Sequence, residues 1–155
     1  MSPFCYTKHM SIKTIDRSLI RFFQRFAVPM ARFGLFVVFF WFGILKVLGY
    51  SPAEPLVEAL FNSTIHFMSF SSFILFFGWY EVLIGILFLI KGAERIVLPL
   101  LLIHMITTFG PLVLLPQASW SGFLIPTLTG QYIIKNLVII AAAMGIAAHL
   151  HPMKK

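Results

Sequence analysis

The amino-acid sequence predicts an all-α protein: an integral membrane four-helix bundle preceded by an amphipathic interfacial helix. Three observations carry that reading. First, 59% of the 155 residues are hydrophobic and only 11% are charged, whereas a soluble domain carries about a quarter charged residues. Second, the charges are segregated, leaving apolar stretches of roughly 18–20 residues, enough for a helix to cross about 30 Å of hydrocarbon. Third, the basic residues are grouped. Lys8, Lys13, Arg17, Arg21, Arg25 and Arg32 lie in the N-terminal segment, Lys91 and Arg95 in one loop, Lys154 and Lys155 in the tail. These groups share one side of a membrane only with four spans and both termini cytoplasmic. The same grouping assigns the net charge of +7 to membrane topology and argues against nucleic acid as a partner.

Taken in order, residues 1–11 read as a disordered N-terminus. Ile12, Ile15, Leu19, Phe22, Phe23 and Phe26 then recur at helical spacing, while Arg17, Arg21 and Arg25 line another side at i, i+4, i+8. Residues 12–27 are therefore expected to lie in the membrane surface, basic groups towards anionic headgroups. Pro29 is expected to separate them from the first span. Span 1 covers about residues 30–48, between Arg32 and Lys46. A short loop (Gly49, Tyr50, Ser51, Pro52) leads to a short helix from Ala53 to Phe61 bearing Glu54 and Glu58. Span 2 covers about 67–90, and Lys91 to Arg95 turn the chain into span 3, about 96–115. Residues 116–128 read as a loop with Trp120 and Pro126 at the interface, 129–150 as span 4, and 151–155 as a cytoplasmic tail. The first apolar run is too long for a signal peptide and ends in Lys46 and Tyr50, so it is expected to remain as an anchor. Cys5 is the sole cysteine, which leaves no intramolecular disulfide, Cys-x-x-Cys pair or thiolate metal site.

Four ionisable residues fall inside apolar runs: Lys46, Glu81, His104 and Lys135. A carboxylate at the centre of a span costs about 2.5–3.5 kcal/mol on insertion scales, so Glu81 is expected to face protein and find a partner. At about 1.5 Å per residue, Glu81 and His104 lie half-way across and both lysines in the outer third. Gly78, Glu81 and Gly85 share one side of span 2, and Gly43 and Lys46 one side of span 1. Gln131, Lys135, Ala142 and Gly145 form a strip on span 4, small residues allowing neighbouring helices to approach. Pro111 after Gly110 breaks span 3 and should release the carbonyl of Thr107, with the Thr107 and Thr108 hydroxyls available to freed backbone groups. The expected result is an outward-opening pocket beside Thr107, Thr108 and Lys135. Each charged group also has a structural role open to it. Lys46 could snorkel to headgroups, His104 could be a neutral core residue, Glu81 could make a purely structural salt bridge, and Lys135 could be held structurally by Asn136 and Gln131. No nucleophile–base pair, haem-ligand pair or metal-ligand cluster is evident, so stand-alone catalysis has the least support.

Trp41-Phe42-Gly43-Ile44-Leu45-Lys46, Gly78-x-x-Glu81-x-x-x-Gly85, Thr107-Thr108 and Gly130-Gln131-Tyr132-Ile133-Ile134-Lys135-Asn136 resemble the DoxX-like superfamily of small four-helix bacterial membrane proteins. Within it, the chain is most similar to the branch of the reactive chlorine resistance inner-membrane protein, over roughly Arg32 to Ala148. The resemblance implies a bacterial inner-membrane location and a link to oxidative or electrophile stress; another member is a small subunit of a thiosulfate:quinone oxidoreductase. The loops between spans 1 and 2 and between spans 3 and 4 are shorter here than in the chlorine-resistance branch. The expected ligand-binding set is Lys46, Glu81, His104, Lys135, Thr107, Thr108 and Gln131. Two lysines against one carboxylate favour an anionic or carbonyl-bearing molecule, a quinone among them, and the sequence requires no cofactor. The expected function is a non-catalytic binding or stress-resistance accessory protein. The alternatives are a scaffold or assembly subunit whose charges fix helix register, and a small transporter, against which no inverted repeat is evident. The expected partners are the lipid bilayer and either another membrane subunit or a second copy of the chain.

Overall fold

The computed structural model describes residues 12–150; the expectations for residues 1–11 and 151–155 lie outside the described residues. The first element, α1 (Ile12–Val47), is one helix of 36 residues with Pro29 inside it. This corrects the expected break: the amphipathic segment 12–27 is the extension of span 1, not a separate element. Proline deletes one N–H, here the partner of the Arg25 carbonyl. Residues 12–27 are exposed throughout, so that carbonyl meets water or headgroups and the helix can continue past the defect. At its other end α1 stops in a Schellman motif. Gly49 takes φ +73°, the Tyr50 N–H donates to the Leu45 carbonyl at 2.8 Å and the Gly49 N–H to Lys46 at 3.2 Å.

A short helix α2 (Glu54–Thr64) begins with Pro55 in its first turn and is followed by α3 (Phe70–Leu89), whose N-terminus is capped by the Ser69 hydroxyl. After a turn through Gly92 comes α4 (Glu94–Phe109). The helix breaks at Gly110-Pro111, as the proline demands, and resumes as the single turn α5 (Pro111–Leu114). The Thr107 carbonyl is not left free, however: it accepts the Gly110 N–H at 3.1 Å. The expected loop is partly ordered structure, a turn α6 (Pro116–Ser119) and a hairpin of β1 (Trp120–Gly122) and β2 (Ile125–Pro126). Its polar side chains bond the broken end of span 3, Ser119 donating to the Pro111 carbonyl and Trp120 to that of Leu112, both at 2.9 Å. The chain ends in α7 (Leu128–Ile134), capped by Thr127, and α8 (Asn136–Ala147).

Among the described residues, four helical stretches are long and apolar enough to cross a membrane: 12–47, 70–89, 94–114 and 128–147. They pack as a closed ring, α1 against α3, α3 against α4, α4 against α8 and α8 against α1. Each contributes to one core, including Leu35 and Phe39, Ile84 and Phe88, Val97 and Leu101, Ala143 and Ile146. The outside is apolar too, with Trp41, Phe76, Leu102 and Val138 all exposed. A helix apolar on every side suits a membrane span and not a water-facing bundle. The α3–α4 turn marks one end of the ring, the basic end; α2 and the hairpin mark the far end.

Candidate functional site

The closest pairing in the bundle is α1 on α3, and glycine makes it so. A Cβ on Gly43 would lie 2.7 Å from the Gly78 carbonyl oxygen and 2.8 Å from the Val82 nitrogen; one on Gly85 would lie 2.7 Å from the Phe40 nitrogen. Real side-chain carbons do not approach backbone so closely, so the two helices touch main chain to main chain. One turn beyond Gly43 on α1 is Lys46, and between the two glycines of α3 is Glu81. The contact delivers one to the other: Lys46 Nζ donates to Glu81 Oε2 at 2.6 Å.

The second carboxylate oxygen faces α4, where His104 Nε2 lies 2.8 Å from Glu81 Oε1. Three helices thus meet at one carboxylate, and the three side chains are all buried, at 7% exposure for Lys46 and 5% each for Glu81 and His104. Charge-assisted hydrogen bonds of this length are about twice as strong as neutral ones. The burial matters as much, because a lone charge here would have no water to turn to.

His104 is held on every side. Its ring stacks on Phe77 (centroids 5.0 Å apart, 9° between planes) and meets Phe39 edge-on at 5.2 Å, with Tyr80 at 6.2 Å. Lys46 Nζ also lies 5.7 Å from the Phe77 ring centre, a cation–π distance. On the ring's other edge Nδ1 is 3.1 Å from the Thr108 hydroxyl, which is also 2.9 Å from the His104 carbonyl. Thr107 donates to the same carbonyl at 2.7 Å.

The Thr108 hydroxyl therefore has two alternatives. With Nε2–H donating to Glu81, a neutral His104 leaves Nδ1 to accept, and the hydroxyl proton points at it. With both ring nitrogens protonated, Nδ1–H donates to Thr108 and the hydroxyl proton turns to the backbone carbonyl. Either protonation state of His104 is fully bonded.

The structure brings Lys46, Glu81, His104, Thr107 and Thr108 together; it does not bring Lys135 or Gln131 to them. Both are exposed, and Lys135 Nζ sits 4.8 Å above the ring of Tyr132. The expected strip on span 4 is one residue out of phase. The buried positions are Gly130, Ile133, Ala143 and Ile146, and Lys135, two residues past Ile133, points about 200° away from that face. Gly145, assigned to the inner strip, has nothing within 4 Å of where its Cβ would be. With Lys135 elsewhere, Lys46 and Glu81 cancel, and a surplus positive charge arises only when His104 takes a second proton.

Phe39, Phe77 and Tyr80 were not singled out from sequence, although a signal existed. Phe77 and Glu81 are i, i+4, and Phe39, Gly43 and Lys46 are i, i+4, i+7, so each ring shares a face with a buried charge. Nor did the sequence join Arg32 of α1 to Glu94 of α4, an ion pair at the basic end. Thr107, Thr108 and Lys135, beside which a pocket was expected, line neither of two cavities in the bundle. One, of about 440 Å³, opens at the basic end; the other, of about 230 Å³, is an apolar groove between α4 and α8.

Fold and site together define a helical bundle with four helices, among the described residues, long and apolar enough to cross a membrane, and a closed Lys–Glu–His triad in its core. Compared with known proteins, the chain matches no family model, and no curated protein or solved structure shows significant similarity to it.

Proposed function

We propose that the chain is a DoxX-like membrane protein that binds a small carbonyl-bearing or anionic molecule, quinone-like in shape, at Lys46, Glu81 and His104. On this reading it acts as a non-catalytic accessory in redox or stress resistance. The observation that carries the proposal is the double bonding of His104 through Thr108. A residue needed only to neutralise Glu81 has no use for a partner that serves both protonation states. A carbonyl oxygen displacing one Glu81 oxygen would accept from the freed Lys46 or His104 donor, and a second proton on His104 would supply charge for an anion. Phe39, Phe77 and Tyr80, packed on the His104 imidazole, form an aromatic wall beside the triad. Phe61 of α2 continues that wall outward, lying 5.0 Å from Phe73, which stacks 5.6 Å from Phe77.

Binding of a short-chain water-soluble quinone to the detergent-solubilised protein, followed by equilibrium dialysis, tests the reading. Saturable binding is expected, weakened at least about tenfold, or about 1.4 kcal/mol, by Glu81→Gln and His104→Ala. Equal affinity in folded variants refutes it. A second reading is favoured by the closure of the triad: both carboxylate oxygens are occupied from two other helices, which also fixes helix register in an assembly subunit. It predicts that these variants fail to hold a partner membrane subunit or second copy, and that the wild type binds no quinone.

The basic segments support a bacterial inner-membrane topology with both termini cytoplasmic, the N-terminal extension of α1 leaving the membrane on the cytoplasmic side with its arginines near anionic headgroups. Cys5, as the sole thiol, reports this directly. A membrane-impermeant maleimide should label it in inverted vesicles and not in intact spheroplasts.

A further inference from the structure

At the basic end, remote from the triad, the cavity of about 440 Å³ lies between α1, the α3–α4 turn and the end of α8. Its volume falls in the range of small-molecule sites, roughly 300–1,000 Å³. The floor is apolar, with Phe88 at 0% and Ile146 at 2% exposure and Phe33 on the wall. The rim is polar and consists of Arg32, Lys91, Glu94 and His149.

The charges on this rim do not balance. Glu94 is engaged by Arg32, the two side chains being 13% and 12% exposed, and Lys91 has no hydrogen bond or ion pair with the described residues. His149 uses Nδ1 against the Gly145 carbonyl at 2.8 Å, which leaves Nε2 for another partner. Arg32 Nε is buried without an acceptor and is the only such side-chain atom among the described residues. Arg32, with an unmet buried donor, and the spare Lys91 both line this cavity, and together they offer N–H donors and positive charge to an oxygen-bearing anion.

The position selects the anion's source. The cleft lies where α3 ends at Leu89 and α8 at Ala147, so hydrocarbon gives way to headgroups at its mouth. We propose that it holds the phosphate of an anionic phospholipid, with Arg32 and Lys91 on the phosphate oxygens and the start of an acyl chain along the exposed Phe33 and Leu89. This site is independent of any ligand at the triad.

Native mass spectrometry of the protein released from nanodiscs of phosphatidylcholine and phosphatidylglycerol in equal parts tests the proposal. Wild type should retain phosphatidylglycerol over phosphatidylcholine by about tenfold or more. The exposed pair Lys91→Gln/His149→Gln should lose the preference with the fold intact. Arg32→Lys, which keeps a positive charge facing Glu94 but replaces the guanidinium fork, Nε included, by a single ammonium, should lower retention several-fold. Equal retention of the two lipids by wild type, or an undiminished preference in Lys91→Gln/His149→Gln, overturns the proposal. Displacement of the lipid by inorganic phosphate overturns it too, assigning the cleft to a soluble anion.

Discussion

Replacing Lys46 by Met keeps most of the side chain's length and removes its charge, leaving Glu81 at 5% exposure with His104 alone at 2.8 Å. Breaking a buried pair by deleting one partner costs about 3–5 kcal/mol, because the charge left behind has neither water nor a counter-ion. His104 remains to offset part of that, so the lower end, about 3 kcal/mol, is expected. Glu81→Gln is the mirror case: Lys46, 7% exposed, retains only an amide oxygen and the Phe77 ring, and a similar loss is expected. The double variant removes both charges and should cost less than the sum of the singles by about 2–3 kcal/mol, the coupling found between residues in direct contact. Unfolding in mixed detergent–SDS micelles, followed by far-UV circular dichroism, yields these free energies. On a thermal scan each single variant should melt roughly 6–12 °C lower, at about 2–4 °C per kcal/mol for a chain of this size. Strict additivity, or single losses below about 1 kcal/mol as in exposed pairs, would refute the buried triad.

The remaining predictions concern packing and the histidine. Gly43→Val and Gly85→Val force side chains into the main chain of the facing helix and should abolish the folded bundle, read as loss of a monodisperse elution peak. Gly145→Ala, at an open site on α8, should instead raise stability by about 0.5–1 kcal/mol through helix propensity. Thr108→Val removes the hydroxyl that serves either state of His104; stability should fall by about 1 kcal/mol, read from the same detergent–SDS unfolding. Arg17→Gln/Arg21→Gln/Arg25→Gln should leave melting unchanged while weakening attachment of residues 12–27 to anionic vesicles by about 1 kcal/mol per charge, an effect that salt should erase.

How much of this was legible in the sequence differs from element to element. The positions of spans 2 and 3 were readable to within a few residues, because an unbroken apolar run between turn residues has one inexpensive conformation in a membrane. So was the break at Gly110-Pro111, a local steric matter. The inward faces of α1 and α3 were readable as well, since Gly43, Gly78 and Gly85 each stand beside a charge that cannot face lipid. The face of span 4 was not. Its small residues Ala142 and Gly145 form a strip no more compelling than that of Ala143 and Ile146, and a one-residue choice turns the helix by about 100°. Pro29 misled for a different reason: a proline breaks a helix only where the carbonyl it abandons has nowhere to go, and exposure is not visible in a string of letters.

Length, hydropathy and the grouping of charge settled by themselves that this chain is a set of four apolar helices, since a backbone in hydrocarbon must bond to itself. They also required that Glu81 have company, because an isolated carboxylate at mid-depth is too costly to keep. Which groups supply that company was a question of three dimensions. Lys46 rather than Lys135 reaches the carboxylate, and Phe39, Phe77 and Tyr80 enclose His104, because main-chain contact at the glycines sets how α1 crosses α3. A crossing is a relation between two helices, and no stretch of one of them contains it.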